Sequence, residues 1–213
     1  MKTDELISLL AAGDTTVEKH ALSWRFAVAL CSGLFGAFLL MAALYGVRAD
    51  LGDVMRLPLF WAKVALPASL AILALWLCSR LARPGVRGGA IWWALALPVS
   101  LVWLGSLAVL AWAPVGARAE LILGHTWRTC PLNIALLAVP AFISVFWALR
   151  GLAPTRPRQA GAGGGLLAGA TGTLAYTLHC PEMAVPFWGV WYVLGMLLPL
   201  VAGSVLGRRV LQW

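Results

Sequence analysis

His179-Cys180-Pro181-Glu182 interrupts two long apolar runs, about residues 160–178 before it and 184–206 after it. Proline cannot continue a helix, and its neighbours here are polar or small, so the stretch reads as a tight turn between two helices. Each flanking run approaches the roughly 20 apolar residues that carry a helix across a bilayer. The same pattern recurs upstream. His125-Thr126-Trp127-Arg128-Thr129-Cys130-Pro131 opens a run over residues 131–149, again with His, Cys and then Pro at its mouth. Three further runs cover about residues 26–47, 60–81 and 90–113. The expected fold is an all-α membrane protein of six transmembrane helices in three hairpins. Residues 1–23 form a short N-terminal helical segment, and residues 24–213 the transmembrane domain.

Composition agrees with that reading. The chain is 62% hydrophobic and only 11% charged, against about 25% charged in soluble domains. Its first residues, Met1-Lys2-Thr3-Asp4-Glu5, place acids where a signal peptide needs bases. The net charge is +8. In a soluble protein that balance suggests nucleic acid. Here it follows from loops that collect Lys and Arg on one side of a membrane, and no direct nucleic-acid contact is expected. Lys2, Lys19, Arg25, Arg80, Arg83, Arg87, Arg150, Arg156, Arg158, Arg208 and Arg209 fall on one side of the six spans; Arg48, Arg56, Lys63, Arg118 and Arg128 fall on the other. The richer side is the cytosolic one by the positive-inside rule, so both termini are expected inside. Cys130 and Cys180 are then expected outside.

Within the runs, most features read as packing. Gly161, Gly165 and Gly169 lie four apart on one face, the close-packing pattern of membrane helices. Pro67, Pro98, Pro140 and Pro199 are expected to kink their spans. Lys63 is expected to snorkel from the start of the second span. Trp24, Trp61, Trp92, Trp93, Trp112, Trp127, Trp188 and Trp213 read as an interfacial aromatic belt. Cys31 and Cys78 read as packing cysteines. In the N-terminal segment, Thr3 can cap a helix that carries Asp4 and Glu5 in its first turn and Leu6, Ile7, Leu9 and Leu10 on one face; Gly13 can end it. Thr15-Thr16-Val17-Glu18 fits a capping box for a second helix running through Lys19, His20 and Trp24 into the membrane. The apolar face suits either a groove on a partner protein or the lipid surface.

Chemistry is sparse. There is no Cys-x-x-Cys, no acid in mid-span, no phosphate loop and no nucleophile with a base, so an enzyme is not expected. The informative residues are Cys130 and Cys180, 50 positions apart yet at one membrane depth if the fourth and fifth runs pair as a hairpin. Such thiols can persist as a disulfide outside the cytosol. Alternatively they can bind a soft metal transiently, with His125, His179 and Glu182 as further candidate ligands. As a bland alternative, they are small apolar fillers. A small metal-handling transporter or channel would use the same thiols as a capture site. No standing cofactor is required by any of these readings.

The opening Met-Lys-Thr-Asp-Glu-Leu-Ile with Leu10, the six runs, and the outer Cys130 and Cys180, the latter in His-Cys-Pro-Glu, resemble the NrsF-type negative regulators of sigma factor F. The resemblance spans essentially the whole chain. It implies a bacterial inner-membrane anti-sigma factor that holds an extracytoplasmic-function sigma factor and releases it under heavy-metal or oxidative stress. The sensing cysteines of that family would correspond to Cys130 and Cys180. Sigma binding would fall on the N-terminal segment with Asp4, Glu5, Leu6, Ile7, Leu9 and Leu10, and on the inner loops.

Overall fold

The computed structural model describes residues 3–12, 21–83, 85–86 and 88–212. Gly13, the capping box at residues 15–18, Lys2, Lys19, His20, Arg87 and Trp213 lie outside them, as do the side chains of Leu6, Leu9 and Leu10. Among the described residues there are helices and no strands. In chain order they are α1 (Thr3–Ala12), α2 (Ala21–Leu44), α3 (Leu51–Val54), α4 (Pro58–Leu81), α5 (Ile91–Trp112), α6 (Val115–Leu123), α7 (Cys130–Leu137), α8 (Val139–Arg150), α9 (Pro157–Thr177) and α10 (Val185–Val210). Asp4 and Glu5 occupy the first turn of α1 as expected, with Thr3 inside the helix rather than before it.

Helices α2, α4, α5 and α10 are long and apolar enough to cross a membrane, and α7 with α8 makes a fifth such segment if the pair is one bent span. The bend is 43°. It falls at Ala138, two residues before Pro140, which has no N–H to donate and whose ring crowds the carbonyl one turn back. By contrast Pro67, Pro98 and Pro199 sit inside helices that continue without a break. The sequence reading also missed α6, which lies where only a loop was expected.

The fold is organised around α9, which packs against α2, α4, α7, α8 and α10. Nearly every residue from Ala160 to Thr177 is buried. Its small residues let neighbours come close. A Cβ added at Gly161 or Gly165 would collide with the backbone of α10 at Gly203 and Pro199, and one at Gly203 would strike the Gly161 carbonyl. The glycine face is therefore a helix–helix seam, as its four-residue spacing indicated.

Neighbours are chosen by such surfaces and not by chain order. Of the three expected hairpins, only α9 with α10 is an extensively packed pair of consecutive spans. α2 packs mainly on α8, where Gly33 meets Ala141 and Ser144 and Gly36 meets Pro140. α4 lies between α5 and α9.

The outer surface carries exposed Phe35, Phe38 and Leu39 on α2 and Leu101, Leu104 and Leu107 on α5. So much exposed apolar surface is compatible with a membrane protein. Trp24, Trp61, Trp93 and Trp112 are exposed, in keeping with a belt, but Trp188 is a core residue. Cys31 also departs from expectation: it is exposed, whereas Cys78 is buried against α9.

Candidate functional site

α9 ends at Thr177, and the chain turns over it. The amides of His179 and Cys180 both donate to the Tyr176 carbonyl, at 3.0 Å each. Pro181 prevents further helix, and α10 restarts with Pro186 in its first turn. The other cysteine begins a helix. The Cys130 amide donates to the Thr126 carbonyl at 2.9 Å, and Pro131 follows in the first turn of α7. The two thiols, one past the end of α9 and one at the start of α7, are brought close together. Both are free and fully buried.

The Cys180 turn is fastened from three directions. From α4, Lys63 Nζ donates to the Cys180 carbonyl at 2.8 Å and to the Glu182 carbonyl at 2.7 Å, and lies 5.5 Å from the centre of the Tyr192 ring. From the segment after α2, Arg48 Nη1 donates to the same Cys180 carbonyl at 3.2 Å, and the Arg48 amide donates to Leu178 at 3.1 Å. The Arg48 guanidinium also grips Asp50 with two bonds of 2.7 Å, which holds the Asp50 carboxyl below its ordinary range and raises Arg48. From the loop before α7, the His125 amide donates to Glu182 Oε1 at 2.7 Å, and Thr126 Oγ1 donates to it at 3.4 Å.

Aromatic hydroxyls complete the surroundings. Tyr176 and Tyr192 stand beside the two thiols, with their rings 6.0 Å apart. The Tyr192 hydroxyl is buried with no hydrogen bond of good geometry, although the Cys180 thiol is a neighbour. His179 is held between Tyr45 and Tyr176, and its Nδ1 lies 3.0 Å from the Gly46 carbonyl. A carbonyl only accepts, so Nδ1 carries the proton in that contact.

The structure thus buries the two cysteines at one end of the bundle, within electrostatic reach of each other, but does not gather the other candidate ligands around them. His179 is committed to Gly46 and Glu182 to the amide of His125, whose own side chain is exposed. Among the described residues no group of three or more His, Cys, Asp or Glu side chains is positioned to hold a metal ion. What remains is a pair of thiols; two thiols as a chemical class can form an S–S bond or give two sulfur ligands to a soft metal.

Lys63 corrects the expectation of snorkelling. It is completely buried and points inward. Its signal was a lone ionisable residue just inside an apolar run, which in a membrane segment marks function by default. Arg48, Tyr176 and Tyr192 had no comparable signal in the sequence.

The opposite end of the bundle is rich in arginine. Arg25 lies over the Trp147 ring at 5.4 Å, and the ends of α4, α8, α9 and α10 carry Arg80, Arg150, Arg158, Arg208 and Arg209. Fold and site together define a class: a helical bundle of membrane-crossing length with a buried thiol pair at one end and a basic surface at the other. The family described as Negative regulator of sigma F matches residues 10–213, and the chain belongs to it. It is 47% identical to the Probable anti-sigma-F factor NrsF of Azospira oryzae and 35% identical to the Anti-sigma-F factor NrsF of Caulobacter vibrioides, in both cases over all of each chain. No solved structure matches. The family's role is regulatory and not enzymatic.

Proposed function

We propose that this chain is an inner-membrane anti-sigma factor which holds an extracytoplasmic-function sigma factor at the cytosolic surface and releases it when Cys130 and Cys180 meet a soft metal or an oxidant. The observation that carries the reading is the thiol pair itself. Two free cysteines 50 positions apart lie buried together at the end of the bundle away from most of the arginines. Both termini are cytosolic, and the thiols face the periplasm. The sigma factor docks on α1 and the neighbouring inner loops.

Six spans support that topology. α9 is too glycine-rich to qualify by apolarity, but its 21 residues extend about 30 Å at 1.5 Å per residue, enough for the hydrocarbon core. Its neighbours bury it on nearly every side, so it need not be apolar enough to face lipid.

The test is expression of a sigma-dependent reporter, with and without cadmium or a thiol oxidant, in four strains: parent, Cys130→Ser, Cys180→Ser and both. One shared switch predicts that each single change abolishes the response and that the double change is no worse. An undiminished response in the double variant eliminates the thiol sensor. Recovery of a sigma factor with the affinity-purified chain in mild detergent tests the partner separately.

A further inference from the structure

Lys63 donates two short hydrogen bonds to the thiol turn, at 2.8 and 2.7 Å. We infer that it is a positioning residue that couples the Cys180 turn to α4, so that a displacement of the turn is passed along α4 to the opposite end of the bundle. The inference rests on the reading of Cys130 and Cys180 as the sensing pair.

The side chain has no second place to go. It lies in the buried stripe of α4 with Phe60, Leu66 and Leu70 one or two turns apart. Among the described residues no carboxylate forms an ion pair with it. Its ammonium is satisfied by the Cys180 and Glu182 carbonyls and the face of Tyr192. An ammonium stripped of acceptors in an apolar interior is strongly disfavoured. Turn and helix therefore move together. The Cys180 carbonyl belongs to the residue whose sulfur would be pulled towards Cys130 by a bridging metal or an S–S bond. Arg48 holds the same carbonyl, but from a loop and while gripping Asp50. α4 can pass the displacement on. Further along, Leu77 and Cys78 lie so close to Gly163 of α9 that a Cβ there would stand 3.3 and 3.2 Å from them, leaving little slack to absorb a shift.

The experiment uses the full chain with Lys63→Met and Lys63→Arg. Two readouts are compared: cadmium–thiolate ultraviolet absorption of the purified protein, and cadmium induction of the sigma-dependent reporter. Lys63→Met is expected to keep the absorption while its induction falls about tenfold, and Lys63→Arg to recover most of the induction. Parent-level induction in Lys63→Met overturns the coupling. Loss of absorption together with induction also overturns it, since Lys63 would then belong to the thiol chemistry. If Lys63→Met does not accumulate, hydrogen exchange of the parent decides: cadmium must alter exchange at residues 77–81, and unchanged exchange there overturns the inference. A normal response in the Cys130→Ser, Cys180→Ser double variant instead removes the sensing reading beneath it, an outcome distinct from failure at Lys63 alone.

Discussion

Gly124 shows how narrowly the thiol end is built. Its φ is +54°, in the region where a side chain is strained, and a Cβ there would lie 2.7 Å from Glu182 Oε2 and 2.8 Å from Phe187. The residue turns the chain out of α6 so that the His125 amide reaches Glu182. Gly124→Ala is therefore expected to lower stability by about 1–3 kcal/mol. Thermal unfolding in detergent, followed by tryptophan fluorescence, checks this, and an unshifted midpoint would show that the loop relaxes freely. At the residue scale the site was half legible. Cys130 and Cys180 stood out because each precedes a proline at the boundary of an apolar run. The partners of the turn did not stand out, because four of its bonds come from or go to main-chain atoms, which carry no residue-type signature: Lys63 to two carbonyls, Arg48 to one and the His125 amide to Glu182. His179 and Glu182 looked like ligands for the opposite reason. Their side chains advertise metal chemistry, while their actual bonds fasten loops.

The element scale turns on where small residues meet backbone. At Gly165 an added methyl runs into the Pro199 carbonyl of α10, whereas at Gly163 it meets the side chains of Cys78 and Leu77 at 3.2–3.3 Å. Backbone cannot swing aside as a side chain can. Gly165→Ala should thus cost clearly more than Gly163→Ala, with about 1–3 kcal/mol typical of overpacking and the larger value at the seam. Equal unfolding midpoints for the two variants would contradict the geometry. The spacing of these glycines revealed the seam in advance, though not which helix it faces. Nor did the prolines reveal which helix is interrupted: among the described residues the one bent pair has its break at Ala138, which touches Gly172 of α9, with Pro140 close behind it against Gly36 of α2. α1 is the element to test for partner binding. Its Asp4, Glu5 and Ile7 are exposed, and its ten residues are too few to cross a membrane. Leu6→Asp with Leu9→Asp should release the sigma factor without altering membrane insertion. Co-purification that survives both changes would transfer the contact to the inner loops.

At the scale of the whole molecule, the sidedness of the charge is the property on which the proposed function depends. Composition and run lengths made an all-helical bundle with helices of membrane-crossing length legible, because apolar length is a local property of the chain. The arrangement of the spans was not legible, because it depends on which small-residue faces fit, a property of pairs distant in sequence. Sidedness lies between the two: basic residues are counted locally, but the count assigns a side only once the ends of the helices are known. Among the described residues, Arg48, Arg56, Lys63, Arg118 and Arg128 lie at the thiol end and Arg25, Arg80, Arg150, Arg158, Arg208 and Arg209 at the other. A direct labelling test cannot use the native thiols of Cys130 and Cys180, since both are fully buried and would resist a maleimide from either side. Exposed positions are needed instead. In a chain with all four native cysteines replaced, Arg118→Cys and Arg128→Cys should react with a membrane-impermeant maleimide on intact cells with a permeabilised outer membrane. Arg150→Cys and Arg209→Cys, equally exposed, should react only after the inner membrane is disrupted. The reverse pattern would put the thiol pair in the cytosol. There it would face a reducing compartment that opposes disulfides, and the sigma-binding surface would be left on the wrong side of the membrane.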